Sequence, residues 1–208
     1  MKKFNSSITS LFPIPLYETK LNREFTEKEI NFVKARKNNA TPNKGNSSSK
    51  NNYILETREL NEIKIFLELC CQDYLDKVIC PSNDVQLYIT QSWLNFTNEN
   101  QYHHPHAHSN SLISGVLYFD VDKNYDRIYF FNRQYKTILF ETRKDKFNLW
   151  NSSSWWFPIF IGQLIMFPSS VTHSVENKIG ENTRISLSFN TFVKGKMGSN
   201  SLLTELML

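Results

Sequence analysis

Hydrophobic and polar positions change rhythm once along this chain, near residue 80. Before it the spacing is helical. From Leu60 to Val78, the positions Ile63, Phe66, Leu67, Cys70, Tyr74, Leu75 and Val78 recur three and four apart, which predicts a helix with one buried face. Glu24 to Lys37 predicts a shorter helix, with Phe25, Ile30, Phe32 and Val33 as its apolar stripe. Residues 11–21 read as an extended strand that Pro13 and Pro15 confine to a sheet edge. Asn38 to Asn52 is rich in Asn and Ser, carries Pro42 and Gly45, and reads as a mobile polar loop.

After residue 80 the pattern becomes that of strands. Val85–Phe96, Ser114–Val121, Arg127–Phe131, Thr137–Thr142, Gln163–Phe167 and Arg184–Phe192 are short, β-branched or aromatic, and separated by turn residues. The last alternates most cleanly, with Arg184, Ser186, Ser188 and Asn190 on one face and Ile185, Leu187 and Phe189 on the other. Helices first, then strands without helical crossovers, predict a mainly β antiparallel sandwich or barrel supported by N-terminal helices. A length of 208 residues suits one domain, 1–208. Within it, 1–80 would hold the opening strand, loop and helices, 81–195 the β core and 196–208 a tail.

Composition narrows the function classes. The net charge of +4 is mild and dispersed, with no dense Lys/Arg stripe, and disfavours nucleic acid as a partner. Three cysteines, Cys70, Cys71 and Cys80, without a secretory signal, point to reduced thiols in a cytoplasm. The vicinal pair on the long helix reads as core filler. No apolar run is long enough to span a membrane.

The chemistry lies in the histidines. Four of the five (His103, His104, His106 and His108) fall within six residues, and His173 follows far downstream. His106 and His108, at i and i+2 on an extended chain, point to one side. His173 follows the Gly162–Phe167 strand and a Pro-Ser turn, which would set it at a strand's mouth. Together these three could form one face of a metal's coordination sphere. Arg184 shares its strand face with small polar residues. If that face is interior, the guanidinium needs an anionic partner, and a carboxylate fits it bidentately. His104 with His106 is a second His-x-His choice, and His103 and His104 otherwise read as flanking polar residues. Solvated polar faces would account for the same residues without any site.

Trp93-Leu94-Asn95, Pro105-His106-Ala107-His108-Ser109-Asn110-Ser111, Ser114-Gly115-Val116-Leu117-Tyr118, the stretch Gly162 to His173, and Arg184-Ile185-Ser186-Leu187-Ser188-Phe189-Asn190 resemble the small 2-oxoglutarate- and Fe(II)-dependent oxygenases of bacteria and phages, distant relatives of the prolyl hydroxylases. The resemblance covers the whole chain. It implies a double-stranded β-helix, a cupin-like jelly roll with iron at its open end. It implies a dioxygenase that uses Fe(II), 2-oxoglutarate and O2, with ascorbate as a supporting reductant, to hydroxylate a C–H bond while releasing succinate and CO2. His106, His108 and His173 would be iron ligands. Arg184 would hold the cosubstrate's distal carboxylate, with Ser186, Tyr118 and Asn95 as further contacts. The expected location is the cytoplasm of a bacterium or a phage-infected cell.

One residue departs from that family's pattern. His108 stands where an Asp or Glu is expected, and the nearest acidic residues in sequence are Glu99 and Asp120. Three neutral imidazoles leave Fe(II) its full double charge, which the 2-oxoglutarate dianion would balance. The substrate is open between an amino-acid residue in a protein and a small metabolite. The segment Trp150 to Pro158 could supply an aromatic contact surface, or Trp155 and Trp156 could pack on the barrel wall. Two other classes stay in view, namely a three-histidine metalloenzyme of cupin type that does not use 2-oxoglutarate and a non-enzymatic jelly-roll binding or structural protein.

Overall fold

The computed structural model describes residues 4–132 and 140–208. The first two strands along the chain are separated by a helix: β1 (Tyr17–Lys20), then α1 (Glu27–Arg36). A small hairpin of β2 (Thr41–Pro42) and β3 (Ser47–Ser48) precedes α2 (Asn61–Tyr74), which ends in a π-helical turn. The strands β4 (Val85–Thr97), β5 (His103–His106), β6 (Ile113–Asp120), β7 (Arg127–Phe131), β8 (Ser154–Pro158), β9 (Gln163–Pro168), β10 (His173–Val175), β11 (Arg184–Met197) and β12 (Leu206–Met207) complete the chain.

Two antiparallel sheets result. The larger follows the order β1-β9-β6-β11-β4-β3-β2, with β12 added to β11; the smaller runs β5-β10-β7-β8. Strand alternation explains how the larger sheet serves two cores. Its odd-numbered β11 residues Ile185, Leu187 and Phe189 join Leu117, Leu164 and Met166 and pack against α1 and α2. On its other face Val116, Tyr118, Ile165 and Phe167 meet Ile128 and Phe130 of the smaller sheet. The even-numbered β11 residues look into this same interior, where the side chains turn polar. That is the jelly roll expected from the sequence, with helices on the outer face of one sheet.

Local chemistry sets the helix ends. Thr26 caps α1 reciprocally with Glu29, an arrangement stabilising by about 1 kcal/mol. On α2 the buried residues are Ile63, Leu67, Cys70, Cys71 and Tyr74, so the vicinal cysteines do fill the core. Val78, expected on the buried face, is 40% exposed because the π turn rotates the register after Tyr74. Gly115 faces the ring of Phe189 so closely that a Cβ there would lie 2.2 Å from Cζ.

Two expectations need correction. The polar stretch Asn38 to Asn52 is not simply a loop: β3 pairs with β4, and Asn46 and Ser49 are buried. Ser49 Oγ accepts from Leu94 N at 3.0 Å, so these small polar side chains satisfy the backbone at a sheet edge. The strand predicted at Thr137–Thr142 falls partly outside the described residues, and Phe140 to Thr142 form no strand. Besides β2, β3 and β12, the strands without an expectation are β5, β8 and β10, which build most of the smaller sheet. Among the described residues, no helix is long and apolar enough to cross a membrane.

Candidate metal and carboxylate site

The smaller sheet sets two of the histidines side by side. His106 on β5 is the register partner of His173 on β10. His108 lies just beyond β5, its backbone N–H donating to Ser169 O at 2.9 Å. The outcome is a cluster in which His106, His108 and His173 offer ring nitrogens within 4.8 Å of one another. His108 Nε2 and His173 Nε2 stand 3.4 Å apart. Two imidazole nitrogens each about 2.1 Å from one ion, at octahedral to tetrahedral angles, are about 3.0–3.4 Å apart. The spacing therefore suits a shared cation.

Backbone carbonyls select the tautomers. His106 Nδ1 is 2.7 Å from His104 O and His173 Nδ1 is 3.1 Å from Val171 O. A carbonyl only accepts, so each Nδ1 carries the proton and each Nε2 presents its lone pair. Burial drives all three rings towards the neutral form. It pushes His108 down to about 4, lowers His106, and holds His173 well below the ordinary histidine range, with neighbouring histidines adding to the effect. Neutral imidazole is the form that binds metal. The alternative group of His103, His104 and His106 is also compact, but His173 lies outside it. His103 stacks on His106 with centroids 4.4 Å apart, and burial pushes it down to about 3.

The other end of the same cavity is charged. Arg184 opens β11 with 3% of its surface exposed. Its Nη1 donates to Asp126 Oδ1 at 3.1 Å. Among the described residues its Nη2 is buried without a hydrogen-bond partner, and so is the hydroxyl of Tyr118. Burial raises the Tyr118 pKa and lowers that of Arg184, so the phenol keeps its proton to donate. Asn95 Nδ2 donates to Ser188 Oγ at 2.9 Å while its Oδ1 is unmatched. Ser186 lines the cavity beside them. Two orphaned donors on residues that line one cavity are costly unless a ligand accepts from them, and a carboxylate is the acceptor that suits a guanidinium and a phenol together.

His106, His108, His173, Arg184, Ser186, Tyr118 and Asn95 all line this one cavity, with Trp93 beside His108 at 5.8 Å between ring centroids, whereas His104, the alternative partner of His106, is not part of its lining. Sequence reasoning missed Asp126 and Lys178. Both are buried in turns, where no periodicity marks them, and Asp126 lies 3.8 Å from Lys178 Nζ. Glu99 and Asp120 belong to neither histidine cluster. The tryptophans divide: Trp155 pairs across from Phe130 and Trp156 from Tyr129, so they face opposite sides of β8. Trp156 lies under the Arg127 guanidinium, 4.4 Å from its ring centroid.

Residues 91–190, which contain every candidate ligand, match the family model described as a putative 2OG-Fe(II) oxygenase. The resemblance seen in the motifs thus holds for the segment that carries the site. Solved structures with the same fold include a prolyl-4-hydroxylase from Pseudomonas putida, aligned over 85% of this chain and 92% of its own at TM-score 0.57 and 11% identity. A 2OG-Fe(II) oxygenase family oxidoreductase from Burkholderia pseudomallei covers 84% and 83% at TM-score 0.56 and 9% identity. HygX from Streptomyces hygroscopicus, whose structure holds nickel, 2-oxoglutarate and hygromycin B, covers 86% and 82% at TM-score 0.55 and 10% identity. At such identities the likeness speaks for the fold. No curated protein matches the sequence significantly.

Proposed function

Starting from that 2OG-Fe(II) oxygenase segment, we propose that this chain is a 2-oxoglutarate- and Fe(II)-dependent dioxygenase that hydroxylates a C–H bond of a protein residue or small metabolite. His106, His108 and His173 hold the metal through Nε2. Arg184 Nη2 and the Tyr118 hydroxyl receive the distal carboxylate of 2-oxoglutarate, with Ser186 beside it. Asn95 contributes with its amide turned over, so that Ser188 Oγ donates to Oδ1 and Nδ2 is free for the cosubstrate. Bound iron would supply the activation of O2 that couples 2-oxoglutarate decarboxylation to C–H oxidation.

The observation that carries this reading is the pair of buried donors without partners, Arg184 Nη2 and Tyr118 Oη, in the cavity that also holds three neutral histidines. A three-histidine metalloenzyme without 2-oxoglutarate has no use for them. A non-enzymatic jelly roll has no use for either end. Three imidazoles in place of two and a carboxylate leave the metal end more positive, which favours a dianionic chelator.

The test is succinate and CO2 release from 2-oxoglutarate by the protein with added Fe(II) and ascorbate, alongside anaerobic calorimetry of 2-oxoglutarate binding. Release without an added substrate is expected to be slow but dependent on Arg184. Failure to bind 2-oxoglutarate in the metal-loaded protein would overturn the reading.

A further inference from the structure

The carboxylate end of the cavity has a second layer that the oxygenase reading does not call on. Asp126 lies in the turn between β6 and β7, is 3% exposed, and stands between two cations. Its Oδ1 accepts from Arg184 Nη1 at 3.1 Å, and its Oδ2 lies 3.8 Å from Lys178 Nζ. Oδ2 also accepts from Asp122 N at 2.8 Å. Lys178 is 1% exposed, a very unusual place for an ammonium, and it donates to Ile179 O at 2.6 Å and Asn182 Oδ1 at 2.8 Å. Asn182 in turn donates to Asp120 Oδ1 at 3.3 Å, but Asp120 is only half-buried and water screens it.

A buried Arg–Asp pair by itself is electrically balanced. Such a pair would have no net pull on an anion, and Asp126 would compete with any carboxylate brought to Arg184. Lys178 changes that balance. With it, the buried members are two cations and one carboxylate, one positive charge in excess, while the half-buried carboxylates of Asp120 and Asp122 stand at the rim where water screens them. Geometry directs where that excess appears. Lys178 is capped by Ile179 and Asn182, and Arg184 Nη1 is taken by Asp126, so among the described residues the unmet donor is Nη2 of Arg184, a residue that lines the cavity.

Building on the 2-oxoglutarate reading, we infer that Asp126 and Lys178 are positioning residues for the cosubstrate: Asp126 fixes the Arg184 guanidinium so that one nitrogen faces the cavity, and Lys178 offsets Asp126 so that this nitrogen attracts a carboxylate. Neither residue touches the cosubstrate. The arrangement selects for 2-oxo acids that carry a second, distal carboxylate over those that end in an alkyl group.

The experiment is anaerobic calorimetry on wild type, Lys178→Met and Asp126→Asn, each loaded with Ni(II). The titrants are 2-oxoglutarate and 2-oxobutyrate, which shares the chelating end and lacks the distal carboxylate. Lys178→Met is expected to weaken 2-oxoglutarate roughly tenfold or more, the scale of losing one charge in a poorly screened site, and to leave 2-oxobutyrate within about twofold. Asp126→Asn removes the competing charge but frees the guanidinium, so the preference for 2-oxoglutarate over 2-oxobutyrate should fall without a matching loss in 2-oxobutyrate affinity. A general structural defect would weaken both ligands together, and that result, or an unchanged 2-oxoglutarate affinity in Lys178→Met, overturns the inference. If Asp126→Asn does not fold, Lys178→Met, which keeps the Arg–Asp pair, decides alone. Wild type that binds neither 2-oxo acid would instead count against the oxygenase reading itself.

Discussion

The two ends of the cavity handle charge in opposite ways. At one end burial strips protons from His106, His108 and His173, leaving three neutral lone-pair donors. At the other, burial lowers the Arg184 pKa without removing its charge, and Asp126 stands against it. Depth of burial is similar for His173 and Arg184, 6% and 3% exposed. What differs first is the basicity each group brings. Desolvation lowers both, but it carries an imidazole below neutrality and leaves a guanidinium charged, and Asp126 offsets part of the penalty at Arg184. The lesson is that equal depth makes a site for a cation from one residue type and a site for an anion from another.

Variants that break one end should leave the other standing. The largest effect is expected from His173→Ala, which removes the most buried of the three clustered histidines. Fe(II) affinity in an anaerobic titration should fall by roughly 100-fold or more. Equal affinity in both proteins removes His173 from the site. Arg184→Ala comes next. It should weaken 2-oxoglutarate by about 1.5–3 kcal/mol, the scale of a hydrogen bond to a charged group, while metal affinity holds. Unchanged cosubstrate affinity would favour a metalloenzyme that does not use 2-oxoglutarate.

His108→Asp sharpens the comparison by carrying a negative charge into the metal end. It should retain Fe(II) and raise the 2-oxoglutarate dissociation constant by roughly threefold to tenfold, since the added charge repels the dianion. If iron affinity in His108→Ala equals that of wild type, His108 is no ligand, and His104 with His106 is the pair to test next. The smallest effect should come from Tyr118→Phe, which removes a single neutral donor. A loss of about 0.5–1.5 kcal/mol in 2-oxoglutarate binding is expected, with thermal stability unchanged or improved, because the orphaned hydroxyl leaves the core.

Much of this was legible in the sequence, for reasons that also explain the gaps. The β11 alternation showed which residues share a face, and the structure keeps Arg184 and Ser186 together on the cavity side. The histidine spacing pointed to the three residues that now cluster. The smaller sheet was harder to see. β5 is the four-residue segment His103–His106 and β10 is only His173–Val175, so neither is long or apolar enough to show a period. Asp126 and Lys178 were invisible for a related cause. Each comes from a turn rich in ordinary surface residues, and only the closing of the two sheets reveals that they are inside.

Gly115 offers a last consequence. A glycine within a strand is usually read as a weak point or a bulge, yet here its bare Cα is a socket for the Phe189 ring. The two positions therefore form a single mutational unit. A side chain at 115 becomes tolerable only when the partner at 189 shrinks, so variation at either one is conditional on the other. Because Ser114 and Val116 lie on either side of that socket and face Asn190 and Ser188 across the ladder, a drifting lineage would have to change both members in step to keep the cavity wall where it stands.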